Sequence, residues 1–339
     1  MPGTALTAQR TQRTDDPHHD PAISVRRRAR VRPAVRAIST GTLTVRGQQL
    51  RVEVRPGNGN GIPLVLCSGI GISYQVFDRL IEALDPGIEI IRFDVPGVGG
   101  SPVRAWPYGF PELAQLLAGL LTELGHQQVD VLGFSWGGAL AQQFAFQYRD
   151  RCRRLVLVST SPGALSVPGR PDVLAKMLTP KRFRGPNHTA GLLYEGDVGD
   201  HGEDVRRLFR RSQTAGSSLG YLYQLAAAAS WSSLPFLPHL KQPVLLVGGD
   251  GDDIVPVINA RIMAALIPNA TVHIYTGGHV EPLAAAAEFA PMITRFLSQE
   301  QFSPQTSHLP RSMAEFAMQF GPAARADQRG TWTESTRRN

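Results

Sequence analysis

Residues able to do nucleophilic chemistry stand in chain order in this 339-residue sequence: a serine at 135, aspartates at 250, 252 and 253, and a histidine at 279. Ser135 lies in Gly133-Phe134-Ser135-Trp136-Gly137-Gly138, after the apolar Val129, Val131 and Leu132 and before the helix-forming Ala139-Leu140-Ala141-Gln142-Gln143-Phe144. Strand, sharp turn, serine, helix is what this spells. Glycines two residues before and two after the serine remove Cβ atoms that would clash in so tight a turn, so the serine can be held in strained backbone geometry. A helix starting beside it aims N–H groups and a positive dipole end at negative charge developing there. The same string can mark a plain glycine-rich loop; its context and the partners downstream argue for chemistry.

A serine hydroxyl is a weak nucleophile at neutral pH and needs a base within hydrogen-bond reach and a group that orients the base. His279 is the candidate base. It follows the strand pattern of residues 271–275 in the loop Thr276-Gly277-Gly278-His279, whose glycines let an imidazole reach across the strand ends. His126, His188 and His239 read as surface histidines. The orienting carboxylate belongs in Gly248-Gly249-Asp250-Gly251-Asp252-Asp253-Ile254-Val255-Pro256, where three aspartates compete. Position in the motif, four residues before Pro256, selects Asp252.

The elements that must position these groups alternate. A hairpin (43–45 with 50–54) precedes an apolar run at 63–67 of the kind buried in a parallel sheet. Then come a helix at 76–84, a strand at 89–93, the turn-rich loop 94–101, a helix at about 111–124, the serine strand with its helix, and a strand at 154–159. Residues 163–240 interrupt the rhythm with helical patterns, at 205–213 and 221–229, and no convincing strand. The alternation resumes with strands at 243–248 and 271–275 and a last helix at 282–297. The expected architecture is α/β: a mostly parallel central sheet with helices on both faces and an inserted helical lid. The expected organisation is a tail (1–38), a core in two parts (39–162 and 241–299), a lid (163–240) and a C-terminal tail (300–339), within which 313–320 could form an amphipathic turn.

Composition narrows the class. Hydrophobic residues make up 42% of the chain, enough for a substantial core, and no apolar run is long enough to span a bilayer. Arg26-Arg27 is followed by Arg28, Arg30 and Arg32 where an export signal needs apolar residues, so export is not supported. Cys67 and Cys152 imply neither a disulfide framework nor a thiolate metal site and fit a reducing cytoplasm. The adjacent His18-His19-Asp20 lack the spacing of a closed metal site; no cofactor is expected. The net charge of +7 is concentrated: residues 1–36 hold eight Arg against three Asp, so a solvated arm, rather than a nucleic-acid surface, explains it. Arg206, Arg207, Arg210 and Arg211 read as a solvated helix face.

The order Ser135, Asp252, His279 resembles that of the α/β-hydrolases over residues 40–299. More narrowly, the runs SGIG, FDVPGVGGS, GFSWGGALAQQFA and PGA…VPG are similar to those of the intracellular medium-chain-length polyhydroxyalkanoate depolymerases. The resemblance implies that Ser135 is the nucleophile, His279 the base, Asp252 its orienting group, and the backbone N–H groups of Ile70 and Trp136 the oxyanion hole. The chain departs from that family at Ser68, Asp253 and Val280-Glu281, beside the triad and not in it. The implied activity is ester hydrolysis through an acyl-enzyme, on a polyester granule or other lipophilic ester, in the cytoplasm or at the granule surface. Tyr221, Tyr223, Trp231 and Phe236 are candidates for the wall of an acyl-chain pocket, with simple packing of the lid as the plainer alternative. Rival readings are a carboxylesterase, thioesterase or carbon–carbon hydrolase on a small soluble substrate, and, in another class, a non-catalytic granule- or ligand-binding protein.

Overall fold

In a computed structural model the described residues are 40–59, 61–178 and 217–299. Strands β1 (Gly41–Val45) and β2 (Gln48–Arg55) form an antiparallel hairpin. Its two-residue turn places Arg46 and Gly47 at φ 50° and 79°, the backbone twist that matches the twist of the flanking strands. β2 pairs antiparallel with β4 (Ile90–Phe93). From there every pairing is parallel: β4 with β3 (Leu64–Cys67), β3 with β5 (Val129–Phe134), then β6 (Cys152–Val158), β7 (Val244–Gly249) and β8 (Ala270–Tyr275). The sheet order is β1-β2-β4-β3-β5-β6-β7-β8.

The continuous apolar runs of the central strands are explained by burial on both faces, since successive side chains point to opposite sides of a strand. Val65 and Cys67 of β3 and Val129 and Val131 of β5 enter one core, whereas Leu64, Leu66, Leu132 and Phe134 enter the other. Helices α2 (Phe110–Glu123) and α3 (Trp136–Gln147) bury Leu113, Leu117, Leu140 and Phe144 in the first core. Helix α1 (Asp78–Ala83) and the C-terminal helical segment contribute Leu80, Phe289, Ile293 and Phe296 to the second.

Two differences from the sequence reading have local causes. The last helix is two: Glu281–Ala284 and Ala286–Ser298, parted at Ala285, whose backbone (φ −94°, ψ 39°) leaves the helical region. A run of four alanines carries no stop signal, so periodicity alone joins them. A nine-residue helix, Ile258–Leu266, lies between β7 and β8 where none was expected; its buried face is short and made of Asn259, Ala260, Met263 and Ala264, too few large apolar residues to stand out in sequence. Between β6 and β7 the described residues form helices at Pro171–Leu178 and Ser218–Ala229 and an isolated antiparallel bridge, Gly163 to Ser232, with no strand among them. The 205–213 pattern, the four arginines within it, and residues 1–38 and 300–339 lie outside the described residues.

The loop after β4 is organised by Asp94, fully buried, whose carboxylate accepts the Tyr74 N–H at 2.9 Å and the Gly100 N–H at 2.9 Å. Burial pushes this carboxyl up from its ordinary range, and those two N–H bonds pull against it. The same loop carries Gly97, whose carbonyl accepts the Ser217 N–H at 3.0 Å, so it seats the start of helix Ser218–Ala229. Replacing Asp94 by Ala strands both N–H groups in a buried place. Asp94→Ala is expected to cost about 2 to 4 kcal/mol of stability, measured by urea unfolding; an unchanged midpoint would contradict this role.

Candidate active site

The groups singled out in the sequence converge at the carboxyl ends of parallel strands, where open α/β sheets place their ligands. Ser135 follows β5 directly, Asp252 lies three residues beyond β7, His279 four beyond β8, and Ile70 three beyond β3. Ser135 Oγ is 2.9 Å from His279 Nε2, and His279 Nδ1 is 2.8 Å from Asp252 Oδ2. A carboxylate accepts, so Nδ1 carries the proton toward Asp252 and Nε2 is left to accept from the serine hydroxyl.

Each partner is pinned. Ser135 sits at φ 54°, ψ −121°, a conformation a residue with a Cβ rarely adopts. Its N–H donates to the Val158 carbonyl at 2.9 Å, and its carbonyl accepts the Gly138 N–H at 2.8 Å and the Thr160 hydroxyl at 2.7 Å. The flanking glycines are required by close approach. A Cβ on Gly133 would lie 2.5 Å from the Gly137 carbonyl oxygen, and one on Gly137 would overlap the Cys67 carbonyl. Asp252 Oδ1 accepts the Ile254 and Val255 N–H groups at 2.9 and 2.8 Å, which aims its other oxygen at His279.

Of the three aspartates, Asp252 is the one bonded to His279. Asp250 accepts the Gly277 N–H at 3.2 Å, and Asp253 is exposed and paired with Arg170 at 3.3 Å. The loop before His279 is braced from below: the Tyr275 hydroxyl donates to the Gly278 carbonyl at 2.8 Å and stands 3.1 Å from Ser159 Oγ. Neither Tyr275 nor Ser159 was legible as part of the site, because a tyrosine closing a strand looks like core.

Ser135 opens into a cavity of about 620 Å³ with a mostly apolar wall that includes Ile70, Phe110, Leu174, Met177, Leu225 and Trp231. Of the four candidates for that wall, Trp231 lines it, and the other three take the plainer packing role. The Tyr221 hydroxyl donates to the Met177 carbonyl at 3.0 Å, Tyr223 packs edge-on against Tyr108, and Phe236 stacks on Phe146. Tyr223 and Phe236 fasten the helix Ser218–Ala229 and the segment after it to the body, and Tyr221 ties that helix to helix Pro171–Leu178 of the same insertion. Leu174 and Met177 of helix Pro171–Leu178 take the place expected for them, a helix that the sequence reading did not single out.

The site's other chemistry is limited. Burial raises the Cys67 thiol to about 12, so it stays protonated and unreactive at neutral pH. Among the described residues no group of three or more His, Cys, Asp or Glu side chains is disposed to hold a metal ion. What the arrangement can do is polarise one serine hydroxyl next to an apolar pocket.

Comparison with known proteins agrees with this fold. Residues 62–282 match the family model of the alpha/beta hydrolase fold. The chain is 43% identical over 263 residues to a poly(3-hydroxyalkanoate) depolymerase of Ectopseudomonas oleovorans, covering 77% of this chain and 93% of that protein. It is 29% identical over 231 residues to a pimeloyl-[acyl-carrier protein] methyl ester esterase of Aromatoleum aromaticum, covering 61% and 86% respectively. Among solved structures, the enol-lactonase from Burkholderia xenovorans LB400 aligns with a TM-score of 0.68 at 22% identity, covering 76% of this chain and all of that one, a likeness of fold.

The crowding at the serine turn yields a prediction. Gly137→Ala drives a methyl group into the backbone carbonyl of Cys67, which cannot move without displacing β3. A loss of about 3 kcal/mol in denaturant unfolding, with loss of hydrolytic activity, is expected; a variant as stable as the wild type would refute the close approach.

Proposed function

The chain belongs to the α/β-hydrolase family, and from that premise we propose that it is a serine ester hydrolase acting on polyhydroxyalkanoate, as medium-chain 3-hydroxyacyl polyester or its oligomers. One observation carries the reading: the hydrogen-bonded chain Ser135–His279–Asp252 ends at the wall of an apolar cavity. The 43% identity to a poly(3-hydroxyalkanoate) depolymerase supports the choice of substrate.

In this mechanism Ser135 Oγ attacks the ester carbonyl as its proton passes to His279 Nε2. Asp252 holds the imidazole in the tautomer that can accept and stabilises the imidazolium that results. Negative charge collects on the former carbonyl oxygen, and the backbone N–H groups of Ile70 and Trp136 are the proposed donors to it. Trp136 is the first residue of its helix, where N–H groups have no intrahelical acceptor and the dipole favours an anion. The carbon–oxygen bond to the leaving alcohol then breaks as His279 returns the proton to that alcohol. A water molecule, deprotonated by His279, releases the hydroxyacid and regenerates the serine. Each oxyanion donor is worth about 3 to 4 kcal/mol of barrier.

The segment 163–240 acts in this reading as a lid over the acyl group, with Trp231, Leu174, Met177 and Leu225 holding the alkyl side chain. The described residues contain no helix long and apolar enough to cross a membrane. The proposed place of action is the cytoplasm, at the surface of polyester granules. A cavity of about 620 Å³ also lies within the usual range for a drug-sized ligand. That favours, as the second reading, a carboxylesterase, thioesterase or carbon–carbon hydrolase acting on one small soluble substrate.

Hydrolysis of amorphous medium-chain polyhydroxyalkanoate granules, measured beside a series of soluble p-nitrophenyl esters, separates the two. Release of hydroxyacids from granules is expected for the wild type, reduced by at least about 10⁴-fold in Ser135→Ala and by about 10³- to 10⁴-fold in Asp252→Asn. Serine-dependent cleavage of soluble esters with inert granules would hand the function to the second reading. Hydrolysis that survives in Ser135→Ala would sink both.

A further inference from the structure

Helix Ser218–Ala229 carries one long polar side chain on its buried face, Gln224, and that residue touches both sides of the proposed oxyanion hole. Its Oε1 accepts the Gly71 N–H at 2.8 Å, next to Ile70. Its backbone carbonyl accepts the Trp136 indole N–H at 3.0 Å, next to Ser135. Gln224 is fully buried, and its neighbours Leu225 and Ala226 line the cavity while it does not.

The arrangement is kept at a cost. Gln224 Nε2 is buried without a hydrogen-bond partner. A buried amide hydrogen with no acceptor is unfavourable by about 1 to 3 kcal/mol, and such a group in a folded protein calls for an explanation. An apolar side chain here would remove that orphan but leave the Gly71 N–H unbonded. The amide orientation follows from the donor it meets, because a backbone N–H needs the oxygen. What Gln224 supplies is an acceptor aimed at one backbone group of the loop after β3.

The helix is anchored at several points. Its N-terminus is capped by Ser217 Oγ, which accepts from Leu219 and Gly220 N–H groups. Gly220 lies against Gly97 so closely that a Cβ there would stand 2.5 Å from the Gly97 carbonyl oxygen. The Tyr221 hydroxyl adds its bond to the Met177 carbonyl. A helix so anchored can hold the Ile70–Gly71 peptide, which directly follows the one carrying the Ile70 N–H, at a set distance from the start of the helix at Trp136.

We propose that Gln224 is a positioning residue for the hydrolytic reaction, setting the spacing of the two oxyanion donors from the inserted helical segment. The inference rests on the reading of Ile70 and Trp136 as those donors. It makes the insertion part of the machinery that stabilises the transition state, as well as a wall for substrate. Oxyanion donors act through fixed placement, so a displaced donor weakens the transition state more than the bound ester.

The experiment compares wild type, Gln224→Met, Gln224→Glu and Ser135→Ala on a soluble p-nitrophenyl ester, with a trifluoromethyl ketone as a mimic of the tetrahedral adduct. Met matches the length of Gln without a good acceptor; Glu retains an acceptor oxygen. Gln224→Met is expected to lower kcat by about tenfold or more with KM within about twofold, and to weaken inhibition by the ketone in the same proportion as kcat. Gln224→Glu is expected to recover most of that loss. Wild-type kcat in a folded Gln224→Met variant, or a loss confined to KM, overturns the inference. Should Gln224→Met fail to fold, Gln224→Leu is read by the same criteria. A dead Ser135→Ala beside a fully active Gln224→Met removes this inference alone, whereas an active Ser135→Ala removes the serine mechanism beneath it.

Discussion

Between the Gly137 α-carbon and the Cys67 carbonyl there is no room for a methyl group, and the arrangement of the site follows from that contact. It sets the helix that begins at Trp136 hard against the end of β3, so the chain must reverse within a residue or two of β5. The turn lands on Ser135, which takes a left-handed backbone conformation at a cost of order 1 to 3 kcal/mol. Hydrogen bonds from Gly138 and Thr160 to its carbonyl, and from its own N–H to Val158, offset the strain. The hydroxyl projects from the sheet edge because the backbone has nowhere else to put it.

The other site groups arrive by the same economy. Parallel strands end on one side of the sheet, so loops after β3, β5, β7 and β8 meet there however far apart they lie in sequence. Asp252 and His279 are separated by a helix and a strand, yet adjacent strands β7 and β8 bring them within 2.8 Å. Two N–H groups on one oxygen of Asp252 decide which way its carboxylate faces. Tyr275 and Ser159 then support the His279 loop from inside the sheet, so placement of the imidazole depends on two buried hydroxyls as well as on its direct partner.

Much of this is legible in the sequence. The buried parallel strands declare themselves as unbroken apolar runs, and the serine turn by its paired glycines. His279 is marked by the glycines before it. The three aspartates illustrate the limit: identical residue types within four positions differ only in burial and in the groups they meet, backbone N–H groups for Asp250 and Asp252 and the Arg170 guanidinium for Asp253. Gln224 and Asp94 were illegible for a related reason, since a polar residue in a helix or turn reads as solvated until its burial is known. The aromatic residues after position 220 were ambiguous in the opposite sense. Their size suggests a pocket wall, but Tyr223 and Phe236 set their rings against the body and the Tyr221 hydroxyl bonds within the insertion, while aliphatic side chains such as Leu174, Met177 and Leu225 line the cavity with Phe110, Trp136 and Trp231.

Everything proposed for the site depends on the chain Asp252–His279–Ser135 turning an ordinary hydroxyl into a nucleophile. Reaction of the folded protein with a fluorophosphonate probe, followed by intact-mass and peptide mass spectrometry, tests it without any assumption about substrate. A single adduct on Ser135, lost in His279→Ala while the fold is retained, is the predicted result. Folded wild-type protein that takes up no probe, or takes it up at another residue, would contradict the account and return the fold to a binding role.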